Sequence, residues 1–192
     1  FKISVLVPPG ANPATYSLSP SQMIGITRAS AWFRMGYVGF ELTSGGKIRE
    51  VNREMKVVDL SSELDLISGN DEKNQALRAG VNSHTWLSPR RVKIMALQIR
   101  NELISLNPGK TQNYNEGYLK FLDEINFTDS TINAILKNDR GKKFITIHPS
   151  LCYFAKDYGL SELSVEERGK EPTPAHLAIL TGTAKKEGIK AV

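Results

Sequence analysis

At 192 residues, 40% apolar and 23% charged, the chain can bury a substantial core and has the balance of a soluble globular protein. Its 25 basic residues against 20 acidic ones leave +5 at neutral pH. The basic side chains are scattered without interleaved aromatics, which argues against a nucleic-acid groove, although Arg90, Arg91 and Lys93 keep that class open. A lone cysteine, Cys152, excludes an intrachain disulfide, and no apolar run reaches the length of a membrane span.

The chain opens on Phe1 with neither a methionine nor a signal-like stretch, which reads as a processed or trimmed product. Residues 1–7 alternate Phe1, Ile3, Val5 and Val7 against Lys2 and Ser4, the pattern of a strand that Pro8-Pro9-Gly10 closes. Ser19-Pro20-Ser21-Gln22 starts a helix with a capping box, and the helix should end near Ser30. Strands are expected at 31–35 and 56–60. Residues 39–54 stay ambiguous, because Gly45-Gly46 interrupts a helical pattern. Residues 69–83 are polar and read as a flexible loop. Ser88 as cap and Pro89 in the first turn then launch a helix with Val92, Met95, Ala96, Ile99 and Leu103 on one face. Asn107-Pro108-Gly109 stops it. A second helix begins near Gln112, with Tyr114, Tyr118, Leu122 and Ile125 in register, and its pattern can be followed past Asp129 to Leu136.

The most informative stretch is 144–160. Residues 144–147 form an apolar, β-branched run expected to be a strand buried on both faces, and it ends at His148-Pro149. Leu151, Phe154, Ala155 and Tyr158 then mark one face of a short helix that Gly159 closes. His148 therefore lies at the carboxyl end of a parallel strand, the edge where open α/β sheets take their ligands. Farther on, Thr173 caps and Pro174 opens a helix carrying Leu177, Leu180 and Ala184, with Gly188 behind it and a strand expected at 189–192.

The chain has three histidines. His84 follows the polar loop and His148 ends the strand, so two imidazoles from opposite halves could converge on a borderline-soft cation such as zinc. His176 sits just off the apolar face of its helix and reads as a surface residue, and Glu166-Glu167 as a solvated turn. No Walker loop, Gly-x-Gly-x-x-Gly, Gly-x-Ser-x-Gly or His-Glu-x-x-His is present. Ser150 lacks a nucleophile elbow, and nothing near Cys152 lowers its pKa, so the reading is not an enzyme.

VPPGANPATYSLSPSQM, SHTWLSP, FITIHPSLCYFAKDYGL and EPTPAHL occur in an order that resembles the zinc/manganese solute-binding proteins of bacterial ABC importers, some of them labelled adhesins. The resemblance covers essentially the whole chain. It implies an α/β fold of two β/α lobes with parallel sheets, joined by a long connecting helix, with the lobes at 1–108 and 139–192 and the helix region at 109–138. It also implies a metal held between the lobes by His84 and His148, zinc first and manganese as the alternative. A monomer would hand the ion to an ABC permease outside the cytoplasmic membrane, where such proteins are often lipid-anchored, and nucleic acid is not a partner. Ala14 stands where the family's first histidine is usual, and the family's acidic ligand would come from beyond Val192, as its first strand would precede Phe1. The metal should then be held weakly. The alternative is a relative with a lapsed metal site that serves as an adhesin-like interaction protein.

Overall fold

The computed structural model describes residues 1–13, 15–68, 80–166 and 171–189. Two parallel βαβ units frame the molecule. In the first, β1 (Ala31–Arg34) and β2 (Lys56–Asp59) pair in parallel, with α2 (Gly39–Val51) as the crossover that parallel strands require. In the second, β3 (Lys143–Thr146) and β4 (Ser161–Ser164) pair in parallel across α5 (Cys152–Tyr158). Between the units run α3 (Pro89–Leu106) and the 25-residue α4 (Thr111–Ile135), joined by a 3₁₀ turn at Pro108–Lys110. The result is two β/α lobes joined through long helix, as the sequence leads one to expect.

Alternation along the first sheet explains its two-sided burial. Trp32 and Val57 face a cluster with Ile26 of α1 (Pro20–Ile26), Phe40 and Ile48. Phe33 and Val58 face Leu60, Leu64 and Met95, the last from α3. This burial settles the ambiguous stretch at 39–54. Phe40, Gly45 and Ile48 share the inward side of α2, and packing outweighs the cost of two helical glycines, about 1 kcal/mol each relative to alanine.

Several expectations need correction. Residues 1–7 form no strand. Ile3 is 87% exposed and only Leu6 and Val7 pack on the first cluster, so alternation alone found no ladder partner among the described residues. Helix α1 stops at Ile26, short of Ser30, though its capping box forms as expected: Gln22 N–H donates to Ser19 Oγ and Ser19 N–H to Gln22 Oε1. Ser88 does not cap α3 with its side chain; that hydroxyl donates instead to Asp157 Oδ2 at 2.6 Å. On β3 only Ile145 is buried, and it lines an apolar groove of about 520 Å³ against α6 (Pro174–Glu187), while Phe144 and Thr146 on the other face are half-buried and Ile147 beyond the strand is exposed. The inward residues of α5 are Tyr153, Ala155 and Tyr158, while Phe154 is only half-buried. Most of the polar stretch at 69–83 and most of the strand expected at 189–192 lie outside the described residues, as does Ala14.

Candidate metal centre

The two loops that carry histidine reach the same place by different routes. His84 immediately precedes a 3₁₀ turn at Thr85–Leu87, which leads into α3. His148 follows β3 by two residues and leads into α5. Their rings meet edge to face, with centroids 5.0 Å apart and planes at 78°. Trp86 stands against His84 with ring centroids 5.3 Å apart, an aromatic wall on one side of the pair.

Each ring has its Nδ1 engaged. His84 Nδ1 lies 2.8 Å from Asn82 Oδ1. His148 Nδ1 lies 2.7 Å from Glu166 Oε2. A carboxylate or amide oxygen on one ring nitrogen is the arrangement that leaves the other, here Nε2, to a metal and fixes the ring plane. Burial holds the His84 pKa below its ordinary 6.5, and the charge of His148 pushes the same way. A neutral imidazole, the form that binds metal, is thus favoured at His84.

Glu166 was not legible as part of this site, because β4 was not expected and the carboxylate read as a solvated turn. The register supplies the missing signal. Thr146 pairs with Ser164, and Glu166 N–H donates to Ile147 O at 2.9 Å, so His148 and Glu166 sit two residues past the same rung. His176 is not simply a surface residue either. It is half-buried, with Nε2 2.9 Å from Ser164 O, so it braces the end of β4. Glu162 does similar work at the neighbouring turn, where its Oε1 accepts from Thr146 Oγ1 at 2.7 Å and Leu151 N–H at 3.0 Å. Burial pushes the Cys152 thiol up to about 11, in keeping with an inert packing residue. Among the described residues, no group of three or more His, Cys, Asp or Glu stands ready to hold a metal.

A polar network braces the platform under the two histidines. Arg91 of α3 grips Asp157 of α5 with two bonds, Nε to Oδ2 at 3.0 Å and Nη2 to Oδ1 at 3.1 Å. It also donates to Asp65 O at 2.6 Å and lies over the Tyr153 ring at 4.4 Å. Alongside, Asp129 of α4 accepts from Arg90, Lys93 and Tyr158.

The whole chain, residues 1–192, matches the family described as zinc-uptake complex component A, periplasmic (ZnuA). This chain belongs to that family. A crystal structure of ZnuA superimposes with a TM-score of 0.84 at 34% identity, over 97% of this chain and 70% of that one. The zinc-binding protein AdcA of Streptococcus pyogenes is 26% identical over 208 residues, covering 99% of this chain and 40% of its own length. A Chlamydia muridarum relative is 26% identical over 182 residues, covering 94% of this chain and 63% of its own length. The chain thus spans less than two thirds of the length of these curated relatives. No described helix is long and apolar enough to cross a membrane.

Proposed function

We propose that this chain is the metal-capturing part of an extracytoplasmic solute-binding protein that takes zinc as cargo for an ABC permease, with His84 and His148 as ligands through Nε2. The observation that carries the reading is the pairing of the two rings at 5.0 Å with each Nδ1 already engaged. Two imidazoles on one tetrahedral zinc, with Zn–N near 2 Å, hold their centroids about 5 Å apart, a spacing that the two rings here match. The chemistry of the donors favours zinc over manganese, since imidazole suits zinc and oxygen ligands suit manganese. Family membership and the AdcA and ZnuA relatives support the same cargo and the permease as partner. The lobes are proposed at 1–108 and 139–192, with the helices at 109–138 between them.

Two protein ligands are fewer than the three that open zinc sites normally keep. The ion is therefore held weakly by this chain, with water or further residues completing its shell. Isothermal titration of metal-stripped protein with zinc and with manganese tests the reading. Zinc binding that is lost in both His84→Ala and His148→Ala, and strengthened in Ala14→His, upholds it. Binding indifferent to both histidines removes the site. Absence of any heat favours the adhesin-like alternative, in which the scaffold serves a protein contact.

A further inference from the structure

Asn82 touches both histidine-bearing loops. Its Oδ1 accepts from His84 N–H at 2.9 Å and lies 2.8 Å from His84 Nδ1, while its Nδ2 donates to Pro149 O at 2.6 Å. Chemistry fixes the orientation of that amide. A main-chain N–H can only donate and a proline carbonyl can only accept, so oxygen faces His84 and nitrogen faces Pro149. With an acceptor held against it, His84 Nδ1 carries the ring proton and Nε2 keeps the lone pair. The Asn82 backbone is itself pinned. Its N–H donates to Ile67 O at 3.0 Å, and its carbonyl accepts from Tyr153 Oη at 2.6 Å. That same hydroxyl accepts from Ile67 N–H at 3.1 Å, and the Tyr153 side chain is fully buried.

We propose that Asn82 is a positioning residue for metal capture: it holds His84 in the Nδ1–H tautomer and staples the His84 loop to the turn that carries His148. This rests on the reading that the two histidines take the ion. The division of labour between the rings follows from the same contacts. His148 is oriented from within its own sheet by Glu166, whereas His84 depends on a residue that also reaches the other loop. Ring separation and tautomer are thus set together by one side chain before any ion arrives, which lowers the ordering cost of binding.

The test uses metal-free protein with ¹⁵N-labelled histidine, above the pH at which the rings protonate, followed by zinc titration against a competing chelator. Wild-type His84 should show the Nδ1–H tautomer. Asn82→Leu removes acceptor and donor alike and should shift His84 towards Nε2–H, with zinc affinity lower by about 10–100-fold. Asn82→Asp keeps the acceptor and should keep the wild-type tautomer, which a role confined to folding would not predict. An Asn82→Leu protein that retains both the Nδ1–H form and wild-type affinity overturns the proposal, as does an Asn82→Asp protein that adopts Nε2–H. A wild-type chain that holds no zinc overturns the cargo reading, and the tautomer measured without metal still reports whether Asn82 orients His84.

Discussion

Replacing Asp157 by alanine should be among the most damaging single changes outside the hydrophobic clusters. Side-chain exposure is 7% for Arg91 and 15% for Asp157, so the substitution strands a guanidinium away from water. It also leaves the Ser88 hydroxyl without its acceptor. Removing one partner of a buried pair costs about 3–5 kcal/mol, mainly because the surviving charge is uncompensated. At about 2–4 °C per kcal/mol for a chain of this size, the melting temperature should fall by about 6–20 °C. The double variant Arg91→Met/Asp157→Leu removes both charges and should recover most of that loss, since apolar replacement of a buried pair is often close to neutral. Arg91 stands on the helix that follows His84 and Asp157 on the helix that follows His148. The single variant should therefore also bind zinc less tightly than the double. Urea or thermal unfolding of the metal-free proteins measures the first effect and titration the second. A single variant within about 0.5 kcal/mol of wild type, or a double as unstable as the single, would refute the reasoning.

Gly36 has φ +100°, and a Cβ there would stand 2.3 Å from Ser61 Oγ and 2.6 Å from Asp59 Oδ1. Gly10 has φ +83° with open space around it. Gly10→Ala should cost only the left-handed backbone penalty of about 1–2 kcal/mol, and Gly36→Ala distinctly more; equal losses in denaturant midpoint would contradict this. His84 supplies a pH signature. Its folded pKa lies below the ordinary 6.5, first through burial and then through His148. Its contribution is therefore fully present above the unfolded value and is lost as pH falls towards the folded one. Metal-free wild type should lose denaturant resistance on acidification through that window more steeply than His84→Gln. In His148→Gln the NMR titration of His84 should move up but stay below 6.5, because burial persists.

Much of this was readable from local chemistry. The Ser19 capping box, Pro89 and Pro174 in first turns, and Gly159 and Gly188 with positive φ at helix ends all appear where their side chains or backbones dictate. The two histidines were legible because strand ends and loop edges are where an α/β sheet exposes its chemistry. Long-range partnership was harder. Ser88 looks like a cap from its neighbours, yet its hydroxyl donates to Asp157, far along the chain. Residues 1–7 carry the right alternation, but a strand exists only where another offers its hydrogen bonds. Strand β4, SELS, is too polar to announce itself, and with it went Glu166, whose meaning depends on which rung it follows.

That rung makes strand register a matter of chemistry. Side chains on a strand alternate between faces, so a slip of one residue in the pairing of β3 with β4 would turn Glu166 to the far side of the sheet. His148 would then lose its carboxylate with neither residue mutated. The register of β3 against β4 is thus as much a determinant of the imidazole's orientation as the acid itself.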